Sequence, residues 1–204
     1  MEKFVFTIGH SNHEPEYFLQ LLEAHGVNCV VDVRSVAASA RNPGFNKKPL
    51  EAFLGRHDIR YLHFEEGFGA RQENPALHNE NGQVDFEKVQ HAAAFHEAVR
   101  RLEAGLEKGF RVALMCSEAD PLDCHRFSMI SRFLMQQGFT VCHILKDASL
   151  ADHPALEAEL LEKYRKKLPE PSLFEPEIGA DERLRVAYRL HNKDIGWTPQ
   201  SNLP

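Results

Sequence analysis

N-C-V-V-D-V, Asn28 to Val33, is an unbroken apolar run closed by an acid, with no polar–apolar alternation. A strand that reads this way is covered on both faces, as in a parallel sheet sandwiched between helices. The flanking sequence agrees. Lys3 to Ile8 (KFVFTI) predicts a strand ended by Gly9-His10-Ser11-Asn12. Glu14 to His25 predicts a helix with Pro15 in its first turn and Phe18, Leu21, Leu22 and His25 on one face. Downstream, Lys48 to His57 reads as a short helix and Ile59 to Phe64 as a third strand. Glu65 to Gly82 is a glycine- and charge-rich connection of a length that usually signals function. Val84 to Lys108 predicts the longest helix, its stripe formed by Phe95, Val99, Leu102 and Leu106 and its end by Gly109. Phe110 to Cys116 and Phe139 to Leu145 complete the strands, separated by a loop over Ser117 to Asp123 and a helix over Cys124 to Gln137; Pro154 to Lys167 predicts a last helix of the series.

Strands alternating with helices imply right-handed crossovers. The expected fold is α/β: a doubly wound, mainly parallel five-stranded sheet with helices on both faces, the three-layer flavodoxin- or Rossmann-like arrangement. Residues 1–168 should form this single domain. Residues 169–204 should add a proline-rich strap, L-P-E-P-S-L-F-E-P over Leu168 to Pro176, and a helix over Asp181 to Asn192 packed on it.

The chain has 204 residues, 24 Lys plus Arg against 30 Asp plus Glu, and a net charge of −6. A chain of this length buries roughly 70% of its unfolded surface and needs no disulfide staples. The acidic balance disfavours nucleic acid as a partner, although the K-Y-R-K-K run over Lys163 to Lys167 supplies a local basic patch. No run suggests a transmembrane helix, and M-E-K-F-V-F-T-I-G-H lacks the build of a signal peptide, so a cytoplasmic protein with reduced thiols is expected. The sequence leaves the oligomeric state open.

Ligands in open parallel sheets bind beyond the carboxyl ends of the strands. That rule gathers Gly9, His10 and Ser11; Asp32, Arg34 and Ser35; Glu66, Gly69 and Arg71; and Cys116, Glu118, Cys124, His125 and Arg126 along one edge. The segment C-S-E-A-D-P-L-D-C-H-R is the richest. Its first cysteine ends a strand, and its second begins a helix with Asp123 as the expected cap. A thiol there feels the helix dipole, and His125 and Arg126 favour its thiolate. Glu118, Cys124, Asp32 and His10 are the candidate nucleophiles or bases. Gly9, Ser11, Arg34, Arg71, His125 and Arg126 are the candidate anion-binding residues. Asp32 and Arg34 could equally form a structural ion pair. Cys29 and Cys142, inside strands, are expected in the core. His25, His57, His91, His96 and His153 are expected at the surface, and His63 and His143 as packed polar groups. Cys116, Cys124, His125 and His10 could be assembled into a zinc site, but C-x7-C-H lacks the short spacing of structural zinc sites and adjacent Cys and His rarely share one ion. No metal or other cofactor is therefore expected. A Cys116–Cys124 disulfide is a further alternative.

The motifs T-I-G-H-S (Thr7 to Ser11), D-V-R-S-V (Asp32 to Val36), S-x-R-N-P-x-F-N (Ser39 to Asn46), the glycine-bearing segment ending at Arg71, L-M-C-S-E-x5-C-H-R (Leu114 to Arg126) and A-Y-R-L (Ala187 to Leu190) together resemble a bacterial and archaeal family defined as a domain of unknown function, numbered 488. The resemblance implies that the strand-end residues are the family's signature, and it brings no activity with it. Ala37 and Ala40 stand where the family has proline and arginine, so an anion contact from position 40 is missing unless Arg41 replaces it. The strand-end reading favours an enzyme, a hydrolase or group transferase, acting on a small anionic substrate such as a nucleotide or sugar phosphate. The alternatives are a nucleotide- or nucleic-acid-binding module and a thiol or metal sensor built on Cys116 and Cys124.

Overall fold

The computed structural model describes residues 3–170 and 179–199. Its elements are β1 (Phe4–Gly9), α1 (Pro15–Ala24), β2 (Cys29–Asp32), α2 (Lys47–Gly55), β3 (Arg60–His63), α3 (Glu65–Phe68), α4 (Phe86–Gln90), α5 (Ala93–Glu107), β4 (Val112–Cys116), α6 (Arg132–Gln136), β5 (Thr140–Ile144), β6 (Leu150–Asp152), α7 (His153–Tyr164) and α8 (Ala180–Ile195). The sheet order is β3-β2-β4-β1-β5-β6. Its first five strands run parallel and β6 pairs antiparallel with β5. This is the expected three-layer α/β architecture. No helix among the described residues is long and apolar enough to cross a membrane.

The continuous apolar runs are explained by burial: every residue of β2 and of β4 is buried. On one face the α5 stripe Phe95, Val99, Leu102 and Leu106 packs with Met129, Ile130 and Phe133. On the other, Phe18, Leu21 and Leu22 of α1 pack with Leu50 and Leu54 of α2. A third cluster joins Phe127 to Leu156 and Leu160 of α7 and to Ala187 and Tyr188 of α8. Burying large apolar side chains of this kind stabilises by about 1.5–3 kcal/mol each.

Several expectations are corrected. The sheet has a sixth strand, because a tight turn with Ala148 at φ 68° and a Leu145 N–H to Ser149 carbonyl bond of 2.9 Å folds the chain back along β5. The helix expected over Val84 to Lys108 is two: the Asp85 side chain caps α4, and the chain breaks at His91 and Ala92 before α5. The Glu65 to Gly82 connection contains α3 and a 3-10 turn over Pro75–Leu77. Asp123 caps nothing; it ends a 3-10 turn, Pro121–Asp123, that Asp120 caps through the Leu122 N–H. A π-helical stretch, Arg126–Ser131, then runs into α6. Residues 171–178 of the expected strap and 200–204 of the tail lie outside the described residues.

The topology fixes where a ligand can approach. β1 and β4 are neighbours, yet α1 leaves β1 toward one face and the chain after β4 packs on the other. Chains that part at adjacent carboxyl ends open a crevice, the usual ligand position in such sheets.

Candidate functional site

The crevice is floored by backbone. The His10 N–H donates to the Cys116 carbonyl and the Ser11 N–H to the Ser117 carbonyl, each at 2.9 Å. The β1–β4 ladder therefore continues past both strands. Gly9 is required by this closeness: a Cβ there would lie 1.8 Å from the Glu118 carbonyl oxygen. Ser11, with φ 49°, is one of the few non-glycine residues in left-handed backbone, a conformation more common at functional positions than elsewhere.

Above this floor Cys116, Cys124 and His125 converge, at 3%, 1% and 8% exposure. Their ligand atoms all lie within 4.8 Å of one another. His125 Nδ1 is 3.8 Å from Cys116 Sγ and 3.7 Å from Cys124 Sγ. The opposite ring nitrogen, Nε2, is 3.1 Å from the Val33 carbonyl. A carbonyl only accepts, so Nε2 carries the proton and Nδ1 faces the sulfurs. The single Cys116 S–H has two acceptors in reach, Glu118 Oε2 at 2.9 Å and Cys124 Sγ. The Arg126 N–H donates to Cys124 Sγ at 3.4 Å, so the sulfur occupies the capping role expected of Asp123.

The charges follow from this packing. Burial pushes the Cys124 thiol up, but the hydrogen bond from Cys116 and the charges of Arg126 and His125 outweigh it and hold it well below the ordinary value. Cys116 moves the other way, raised by burial and by its bond to Cys124. Burial alone would lower His125, yet the neighbouring Cys124 raises it. Glu118 is raised by burial and then by Cys124. The wholly buried Arg126 donates to the Glu118 and Ala119 carbonyls at 2.8 and 3.1 Å. It clamps the loop that carries Glu118. Its Nε has no partner among the described residues. The π-helical stretch begins at this arginine, and such irregular turns recur at functional sites.

Asp32 and Arg34 are brought to the same edge but are bound to each other. Arg34 donates to Asp32 through Nε at 2.9 Å and Nη2 at 2.6 Å, and its own N–H adds a third bond at 3.0 Å. Tyr61 donates its hydroxyl to the same carboxylate at 2.6 Å. The remaining guanidinium contacts are the Phe45 carbonyl at 2.7 Å and His10 Nε2 at 3.2 Å. His10 stacks on the Phe45 ring, centroids 4.4 Å apart. Burial, with the Arg34 charge adding to it, lowers His10 to about 4, so it is neutral at pH 7.

The third strand end reaches the site less directly. Gly69 is required because a Cβ would meet the Glu65 carbonyl at 2.4 Å and Ser35 Oγ at 2.8 Å. Ser35 Oγ accepts from the Arg71 N–H at 2.7 Å. Arg71 is exposed, and its guanidinium has no partner among the described residues. Glu66 is exposed and lines a cavity with Ala94, Glu97 and Arg101 of α5, not the cysteine cluster.

Sequence reasoning missed a second buried polar chain. Thr7 Oγ1 bonds His143 Nδ1 at 2.7 Å, His143 Nε2 bonds His153 Nδ1 at 3.1 Å, and His153 Nε2 bonds the Tyr188 hydroxyl at 2.9 Å. Tyr188 then donates to Glu157 at 2.8 Å. His153, expected at the surface, is wholly buried because α8 covers the start of α7. His191 of α8 joins Ser128 to the Leu122 carbonyl in the same way. The available signal was A-Y-R-L, which contains Tyr188. Cys29 and Cys142 are in the core, as expected.

A family model described as Domain of unknown function DUF488 matches residues 14–134, more than half of the chain. No curated protein and no solved structure matches it.

Proposed function

The chain belongs to the DUF488 family, and we propose that this member is an enzyme that hydrolyses, or transfers a group from, a small anionic substrate such as a nucleotide or sugar phosphate. The observation that carries this reading is the convergence of two thiols, an imidazole and a carboxylate in the β1–β4 crevice. Of the four groups read from the sequence as nucleophile or base, Cys124 and His10 are only 1% and 3% exposed and Asp32 is bound to Arg34 and Tyr61, whereas Glu118 is half-buried at the crevice. Glu118 is therefore the acid–base group, and the thiols and His125 line the wall behind it. Arg126, Arg34 and Asp32 build the site: both Nη atoms of Arg126 are committed to carbonyls, and Arg34 and Asp32 are bound to one another. Arg71, exposed and with no guanidinium partner among the described residues, receives the substrate's anionic end, bidentately where phosphate or carboxylate is offered.

A broad phosphoester and nucleoside turnover screen with wild type and Glu118→Gln tests this. The wild type should turn over at least one substrate, and the variant should lose about 10²–10⁴-fold, the usual contribution of a positioned acid–base group. Absence of wild-type turnover across the screen, or an unaltered Glu118→Gln rate, overturns the reading.

A further inference from the structure

We propose that Cys116 Sγ, Cys124 Sγ and His125 Nδ1 are the protein ligands of a Zn²⁺ ion, with an open fourth position bordered by Glu118. Tetrahedral zinc with Zn–S near 2.3 Å and Zn–N near 2.05 Å places sulfur and nitrogen ligands about 3.6 Å apart and two sulfurs about 3.8 Å apart. The observed S–N separations are 3.8 and 3.7 Å, and the whole set lies within 4.8 Å. Both sulfur–nitrogen pairs are thus at ligand spacing before any ion is considered, and the two sulfurs lie within 4.8 Å of each other.

An independent observation concerns the far side of the imidazole. Metal-bound histidines almost always donate their second ring N–H to a carbonyl or carboxylate, which fixes the tautomer and aims the free lone pair at the ion. His125 does this through Nε2 to the Val33 carbonyl at 3.1 Å, leaving Nδ1 toward the sulfurs. Val33 follows β2, so a third segment of chain orients a ligand supplied by the β4 loop.

The sequence objection also has a structural answer. Adjacent residues rarely share an ion because their side chains normally diverge. Here the backbone changes state between them: Cys124 is extended (φ −134°, ψ 141°) and His125 is helical (φ −59°, ψ −24°). That break turns both side chains toward Cys116. Two thiolates balance the charge of Zn²⁺, and three protein ligands with one open position are the pattern of catalytic rather than structural zinc. Glu118 Oε2, 2.9 Å from Cys116 Sγ, borders that position. This inference rests on the proposed function only for the role that follows: water bound there would lose its proton to Glu118, its oxygen would bond to the substrate's reacting phosphorus, and the bond from that phosphorus to the leaving-group oxygen would break as Glu118 returns the proton to it.

The test reads metal and not turnover. Protein purified without chelator is analysed for bound metals, then stripped, reconstituted with Zn²⁺ or Co²⁺, and dialysed against a competing chelator. About one zinc per chain is expected in the wild type, and the cobalt form should show thiolate-to-metal charge-transfer absorption. Cys142→Ser, which alters a thiol outside the cluster, should keep both signatures. Cys124→Ser and His125→Asn should lose them, with far-UV circular dichroism showing that each variant folds. Wild-type protein that retains no zinc and gives no charge-transfer band on cobalt addition overturns the site, as does full retention in a folded Cys124→Ser variant. Zinc held by a protein whose Glu118→Gln variant turns over normally would sink the proposed function and leave the metal site standing.

Discussion

Removing the charge of Asp32 should destabilise the fold without any direct effect on chemistry. Asp32 is 0% and Arg34 4% exposed, and the carboxylate accepts from the Arg34 N–H, Nε and Nη2 and from the Tyr61 hydroxyl. All of these donate, so both carboxylate oxygens are saturated. Asp32→Asn replaces one acceptor by an NH₂ that must face donors, and it leaves Arg34 buried without a counter-charge. Breaking a buried pair in this way costs about 3–5 kcal/mol. Urea unfolding followed by far-UV circular dichroism would register that as a midpoint lower by about 1–2.5 M, taking a slope near 2–3 kcal/mol/M. Arg34→Met on the same background should recover part of the loss, because the stranded charge goes with it. A loss below about 1 kcal/mol, or strict additivity of the two substitutions, would refute the argument. Wild-type stability combined with abolished turnover would instead make Asp32 a catalytic group.

Folded His10 titrates at about 4 against about 6.5 unfolded. Between those values the unfolded chain binds more protons, so the stabilising contribution is complete above about pH 6.5 and fades as pH falls toward 4, by up to about 3 kcal/mol. His10→Asn should flatten the stability–pH curve between pH 7 and 4.5, and an unchanged slope would remove the assignment. Gly9→Ala, which forces a Cβ to 1.8 Å from the Glu118 carbonyl, should cost about 1–3 kcal/mol or more. Gly55→Ala, with nothing within 4 Å, should be neutral or stabilise by up to about 1 kcal/mol; equal effects in thermal unfolding would contradict the close approach at Gly9. Tyr188→Phe leaves His153 Nε2 and Glu157 without their shared hydroxyl and should lower stability by about 1–3 kcal/mol. A midpoint within experimental error of the wild type would mean that the buried chain is replaced by water.

Much of the fold was legible because its signals are local. The runs over Asn28 to Val33 and Phe110 to Cys116 read as strands, the first as one covered on both faces, and the stripes of α1 and α5 gave the covering helices. The errors fell where long-range contact overrides local pattern. β6 exists because a turn lays it beside β5, and His153 is buried because α8 lies over it. Helical spacing continues through His91 and Ala92 although the helix does not.

The candidate site divides in the same way. The sequence by itself determined the edge: strand ends follow from strand identity, so His10, Asp32, Arg34, Cys116 and Glu118 had to lie along one rim. Tertiary structure alone decided their roles. Asp32 is bound to Arg34 and Tyr61 because β2 and β3 pair in a register that sets Asp32 opposite His63, with Tyr61 two residues earlier on the neighbouring strand. Cys116 meets Cys124 and His125 because the backbone changes from extended to helical between two adjacent residues. A strand end is a property of one segment and its covering helices. The distance between two side chains depends on how several segments are packed, and residue spacing along the chain does not carry it.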